Sequence, residues 1–152
     1  MTITRIPRGS GERKRDVLVR LERELDIWVA SADAEGEPYL VPLSFLWDGE
    51  FVWLCTRSAN PTGRNLLAGG RVRLALGDLR DVVLVDGEVR AFTASDVPPS
   101  AVEAFFAKTG WDPRASGAAY GWFRVRTRAV QAWHEVHELP GRQIMRDGVW
   151  VV

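Results

Sequence analysis

The chain has 152 residues, 46% of them hydrophobic and 10% aromatic, the length and composition of one globular domain that buries roughly 70% of its unfolded surface, which excludes disorder. Lys and Arg number 20, and so do Asp and Glu, so no net positive field draws in a phosphodiester backbone and nucleic acid is a poor partner. No apolar run approaches the roughly 18 residues of a membrane span, and Met1 to Arg15 lack the apolar core of a signal peptide, so a cytoplasmic, membrane-free protein is expected. The only cysteine, Cys55, sits between Leu54 and Thr56 and reads as a buried strand position in a reducing compartment. Lys14 and Lys108 are the only lysines. With abundant Ala, Val and Gly, that bias to Arg points to a GC-rich bacterial genome.

Ser10 is the expected cap of a first helix, in which Val17, Leu18, Leu21 and Leu25 recur at helical spacing and Arg20 and Glu24 pair at i, i+4. The period then falls to two. Trp28 to Ala32 reads as a strand ending at Ala34-Glu35-Gly36-Glu37, and Pro38 to Trp47 as a longer one. Asp48-Gly49 suits a two-residue hairpin into Phe51 to Thr56. From Arg57 to Gly70 the β pattern stops: Asn60-Pro61 makes a turn, and Thr62 to Ala68 makes two short helical turns closed by Gly69-Gly70.

Alternation resumes at Arg71, with Val72, Leu74 and Leu76 on one face, and again from Val82 to Phe92, where Asp86-Gly87 marks a bend or bulge. A second helix opens between Ser95 and Ser100, accepts Pro98 and Pro99 in its first turn, and turns Val102, Phe105 and Phe106 inward before Gly110. A loop through Pro113 and Gly117 leads to a strand from Gly121 to Trp133, with Arg124, Arg126 and Arg128 on one face and Phe123, Val125 and Thr127 on the other. Leu139-Pro140-Gly141 precedes a terminal hairpin around Asp147-Gly148. Many close-spaced strands broken by two or three short helices suit a closed or partly closed antiparallel barrel, because parallel strands need a crossover between most of them.

The interruption from Thr56 to Leu66 concentrates hydroxyls, the guanidinium groups of Arg57 and Arg64, and free backbone N–H groups. Such residue types suit an anion, phosphate above all; the alternative is an ordinary capped loop.

The order of elements, with Pro42 inside the second strand, Thr56-Arg57-Ser58 running through to Arg64-Asn65-Leu66, and a Val-rich strand after it, resembles the pyridoxamine 5'-phosphate oxidase-like family. The likeness is best from Val17 to Val89, and the ending from Ala132-Trp133 to Val149-Trp150 is similar to the closing segment of a subgroup. The resemblance implies a mainly β fold, a split antiparallel β-barrel of Greek-key type with flanking helices, over a single domain 1–152 whose residues 1–12 form a flexible or dimer-contacting arm. It also implies a homodimer that binds FMN, or the deazaflavin F420, in clefts at the subunit interface. Thr56, Arg57, Ser58, Arg64 and Asn65 fall where relatives hold the cofactor phosphate, and Val41, Pro42, Leu43 and Ser44 where backbone groups line the isoalloxazine ring. Thr62 belongs to the same set but stands where many relatives carry a phosphate-binding Lys, which together with the GC-rich composition favours F420. The frequency of FMN in the family favours FMN.

The expected activity is that of an oxidoreductase passing a hydride to or from a small organic substrate, with no catalytic side chain identified. A non-catalytic cofactor- or small-molecule-binding module is the alternative, and an empty relative a third reading. His134 and His137 stand at i, i+3 beside Pro140, not at the i, i+4 of a helical zinc motif, so they read as surface residues and no metal site is expected. Among the seven tryptophans, Trp122, Trp133 and Trp150 lie in segments that in this family approach the partner's cofactor. The row Arg124, Arg126, Arg128 suits an anionic tail such as the polyglutamate of F420, or simply a solvated strand face.

Overall fold

Period-two alternation in the sequence becomes eight strands in the computed structural model, which describes residues 5–116 and 119–152. They are β1 (Asp26–Ala32), β2 (Pro38–Trp47), β3 (Phe51–Arg57), β4 (Gly70–Ala75), β5 (Val82–Phe92), β6 (Tyr120–Trp133), β7 (Gln143–Arg146) and β8 (Val149–Trp150). Helices α1 (Ser10–Arg23), α2 (Pro61–Leu67) and α3 (Pro99–Thr109) interrupt the series. The sheet runs β3-β2-β1-β4-β5-β6-β7-β8, and β3 also pairs with β6, so six strands close into an antiparallel barrel and β7 and β8 extend it. Residue 117 of the expected loop, and residues 1–4 of the expected N-terminal arm, lie outside the described residues. No described helix is long and apolar enough to cross a membrane.

The barrel interior is filled by Ile27 and Val29 of β1, Phe45 of β2, Leu54 of β3, Leu74 of β4 and Phe123 of β6, all nearly or fully inaccessible. Each such side chain contributes about 1.5–3 kcal/mol by leaving water. In β3 the alternation disappears, because Val52 and Leu54 face the interior while Trp53 and Cys55 are covered from outside by α3. Ala101, Val102 and Phe105 of α3 pack there with Phe92 and Trp122. Phe106, expected inward, is 40% exposed, since one residue beyond Phe105 turns the side chain about a quarter of the way round the helix. Lys108 Nζ donates to the Leu21 carbonyl at 3.1 Å and lies 3.7 Å from the Phe45 ring centre, pinning α3 to the end of α1; burial lowers its ammonium to about 8.

Two local expectations shift. Gly9, not Ser10, is the N-cap of α1, and it makes no side-chain cap; its carbonyl accepts the Arg13 N–H instead. The β2–β3 hairpin turns on Gly49-Glu50, with φ 99° at Gly49, because Asp48 still pairs with Phe51 and its carboxylate accepts from the Glu50 and Phe51 N–H groups. The expected irregularity at Asp86-Gly87 is present as a register shift against β6.

Arg8 and Glu138 join the two ends of the chain. Glu138 is fully buried and accepts from the Arg8 guanidinium at 2.8 Å, from the Arg8 main-chain N–H at 2.8 Å and from the His134 N–H at 2.8 Å. Arg13, also buried, donates to the carbonyls of Ala132, Glu138 and Pro140. The Arg8 guanidinium foremost, against the opposing effect of burial, holds the Glu138 carboxyl far below the usual carboxylate range.

The folded value being depressed, the stability that Glu138 contributes is complete above its ordinary value of 4.5 and is lost as pH falls below it towards the folded value. Glu138→Gln should therefore cost about 1–3 kcal/mol at neutral pH, because the buried Arg8 guanidinium loses one of its two carboxylates and keeps Asp16 at 2.8 Å, and flatten the acid limb of a urea-denaturation series. A mutant with the parent's acid sensitivity would place the titrating group elsewhere. At the bulge, a Cβ on Gly87 would collide with Val125 Cγ1 and stand 2.5 Å from the Arg126 carbonyl oxygen. Gly87→Ala should lower stability by about 1–3 kcal/mol in the same assay.

Candidate functional site

The break after β3 is a tight turn. The Ser58 N–H donates to the Ala119 carbonyl at 3.2 Å and the Asn60 N–H to the Arg57 carbonyl at 3.1 Å, after which Pro61 opens α2 from its first position. Asn60 is the N-cap of α2 without a side-chain cap bond, and its carbonyl accepts the Arg64 N–H at 2.8 Å. Gly63 lies so close to the end of β3 that a Cβ there would collide with the Arg57 carbonyl oxygen. Glycine is required by that approach and not by φ.

Beside this turn lies a cleft of about 450 Å³. Its floor is Pro42, Leu43 and Ser44 of β2, and its rim is Thr56, Arg57 and Asn60. Trp111 and Tyr120 form the wall, edge to face with centroids 5.3 Å apart. Asp26 stands at one end and accepts from Ser44 Oγ at 3.3 Å. Cys55 also borders the cleft, but burial pushes its thiol up to about 12, so it carries no thiolate at neutral pH. The Arg57 guanidinium is exposed and pairs with no carboxylate among the described residues. The cleft thus combines a flat apolar floor, an aromatic wall and an uncommitted cation, a set suited to a planar ring bearing an anionic group.

Of the residues singled out in the sequence, Pro42, Leu43, Ser44, Thr56 and Arg57 come together in this cleft. Val41 turns to the barrel interior. Ser58 lies behind the rim, its Oγ 3.2 Å from where a Cβ on Gly121 would be. Thr62 is buried, Arg64 Nη1 donates to the Ala59 carbonyl at 2.5 Å, and Asn65 Nδ2 donates to Ser31 Oγ at 3.1 Å, tying α2 to β1. Those three shape and anchor the turn.

Sequence reasoning passed over Trp111 and Tyr120. Their only signal was position: Trp111 follows the Gly110 that ends α3 with φ 73°, and Tyr120 pairs with Arg57 across the barrel closure. Trp122, marked for a cofactor, is 2% exposed beneath α3, while Trp150 lies under Lys14. His134 sits between Asp81, at 3.4 Å, and Glu138, at 3.8 Å.

A larger cleft, about 730 Å³, opens on the outer side of β1, β4, β5 and β6. Two of its arginines are paired, Arg73 with Asp86 at 2.6 Å and Arg128 with Glu88 at 3.7 Å, while Arg71 and Arg146 have no ion pair among the described residues, and no aromatic side chain lines it. The smaller cleft is therefore the better candidate. Since its rim depends on the α2 approach, Gly63→Ala should push α2 from β3, cost about 1–3 kcal/mol in thermal or urea denaturation, and change the tryptophan fluorescence of Trp111. An alanine protein with parental stability and spectrum would mean that the turn yields freely.

The sequence model described as pyridoxamine 5'-phosphate oxidase matches residues 17–137. No curated protein matches the sequence. Among solved structures, an F420 reductase is 22% identical over 74% of this chain and 93% of its own, with a TM-score of 0.61. General stress protein 26 from Bacillus anthracis is 10% identical over 78% of this chain and 92% of its own, with a TM-score of 0.56. A conserved hypothetical protein from Mycobacterium tuberculosis is 16% identical over 80% of this chain and 84% of its own, with a TM-score of 0.59. At these identities the structures speak for the fold alone, and they agree with the sequence match and the closed barrel: the chain belongs to the pyridoxamine 5'-phosphate oxidase-like family of split β-barrels.

Proposed function

We propose that the protein is a flavin- or deazaflavin-dependent oxidoreductase whose cofactor, FMN or F420, occupies the cleft between β2, the β3–α2 turn and the Trp111–Tyr120 wall. The observation that carries this reading is the convergence of Pro42, Leu43 and Ser44 with Thr56 and Arg57 on one concave surface. The residues present fit such a group. Pro42 offers an apolar surface, with Leu43 bordering it from the core side, Trp111 and Tyr120 offer an aromatic one, and Arg57 offers a guanidinium with no ion pair among the described residues for a phosphate. Thr62 has a neutral side chain and is buried, so the positive charge of the turn rests on Arg57 and Arg64. When bound, the ring system supplies the hydride chemistry. The protein's part is to bind, orient and shield two planar molecules from water, which requires no triad or metal.

A homodimer, with the cleft at its interface, is part of the proposal. Cross-strand neighbours on the outer face of β1 and β2 leave an apolar surface, with Trp28 39% and Leu40 62% exposed, and it is continuous with the cleft through Pro42, which pairs with Trp28. Apolar sheet surface left open in this way is typical of a partner contact.

The first test is fluorescence titration of the purified protein with FMN and with F420, followed by reduction in the presence of a donor. Binding with turnover supports the oxidoreductase, binding without turnover supports a carrier module, and no binding to either overturns the reading. Arg57→Ala should weaken the cofactor that binds by about 1.5–3 kcal/mol if it makes a charge-assisted bond to phosphate. Leu40→Glu should shift the protein toward monomer in sedimentation analysis and weaken the same cofactor; a Leu40→Glu dimer of parental strength would move the interface to another face.

A further inference from the structure

The outer face of β5 and β6 holds a charge arrangement that the cleft does not use. Arg90 of β5 and Arg124 of β6 are directly opposed in the sheet register, so their side chains leave the same face side by side. Both guanidinium groups rest on one ring: that of Arg90 is 4.7 Å, and that of Arg124 5.4 Å, from the centre of Phe92. Arg124 also lies 4.3 Å from the Phe51 ring and 5.9 Å from that of Trp53. Arg126, two residues along the same strand face, is exposed.

Like charges directly opposed across a sheet are destabilising, and a folded chain normally separates them or sets a carboxylate between them. Among the described residues none stands between Arg90 and Arg124 themselves; the neighbouring carboxylate is Glu88, two residues before Arg90 on the same strand face. Among the described residues, Arg90, Arg124 and Arg126 form no ion pair. Glu88, opposite Arg126, is 3.7 Å from Arg128, and Asp96 accepts from the N–H and hydroxyl of Thr93. Helix α3, which packs on the same aromatic surface, has no acidic residue in its first turn. The rings hold both guanidinium groups in place, and among the described residues neither donates a side-chain hydrogen bond to the protein.

We infer that Arg90, Arg124 and Arg126 form a binding site for a small polyanion carrying at least two phosphate or carboxylate groups, held on the outer wall of the barrel apart from the cleft of the proposed function. Two guanidinium groups side by side offer N–H donors to two oxyanions, and a ligand with two anionic groups offsets the repulsion between them. The row Arg124, Arg126, Arg128 thus divides. Arg128 is paired with Glu88, Arg126 has no ion pair among the described residues, and Arg124 joins Arg90 across the strands.

Calorimetric titration of the full chain with pyrophosphate and with citrate, at fixed ionic strength, tests this. The parent should bind one of them saturably; pyrophosphate as the tighter ligand identifies phosphoryl groups, and citrate identifies carboxylates. Arg90→Gln, an exposed and structurally mild change, should weaken that ligand tenfold or more. Arg90→Glu should abolish binding and, by placing a carboxylate opposite Arg124, melt above the unliganded parent. Arg57→Ala should leave the affinity unchanged, which keeps the result separate from the cofactor cleft. No saturable binding, an unchanged affinity in either Arg90 variant, loss of binding in Arg57→Ala, or an Arg90→Glu protein that melts below the parent would overturn the proposal.

Discussion

The pairing of β3 with β6 is the constraint on which the other features depend. Seven cross-strand pairs, from Phe51 with Arg126 to Arg57 with Tyr120, convert an open sheet into a barrel, and with it remove two exposed edges. Closure makes β3 a strand covered on both sides and gives Phe123 and Leu54 a shared interior. It also sets Tyr120 beside Arg57, so that an aromatic wall and a cation separated by more than sixty residues meet at one mouth of the barrel. The cleft is in this sense a by-product of the register in which the sheet closes.

A second consequence of closure is the outer aromatic cluster. Strands that point Trp53, Cys55, Phe92 and Trp122 outward would expose them in an open sheet, and α3 exists to cover them. The cover extends as far as Phe92 and Phe51, and beyond that the rings are capped by arginine instead of helix. Apolar packing and cation–π contact therefore divide one continuous surface, with the cleft at one end and the basic group at the other.

Strand positions were legible in the sequence wherever one strand face is wet, because alternation then survives: β4, β5 and β6 fall within a residue or two of their expected limits. The break after β3 was legible too, since Asn60-Pro61 and the loss of alternation occur together. Less legible were properties set by three-dimensional company. Arg64 and Asn65 stand where the resemblance sets the cofactor phosphate, and nothing in the sequence hinted that Arg64 also bonds the Ala59 carbonyl within the turn and Asn65 the Ser31 hydroxyl of β1. Trp111 carries no motif; it borders the cleft because Gly110 turns the chain back after α3. Glu138, the most deeply buried carboxylate, gave no sign at all, because its partner Arg8 is 130 residues away.

The missing side chain at Gly63 has an implication for how the turn meets a ligand. Because α2 is pressed against the backbone of Arg57, Arg64 closes on Ala59 within the turn and Asn65 ties it to Ser31 of β1, the chain's own contacts fix the loop. Conformational entropy that a loose phosphate loop surrenders on binding is here surrendered during folding, so the affinity of the proposed cofactor would be decided by contacts and not by ordering. A turn held in this way would select the proposed cofactor by shape, in the manner of a mould and not of a closing hand.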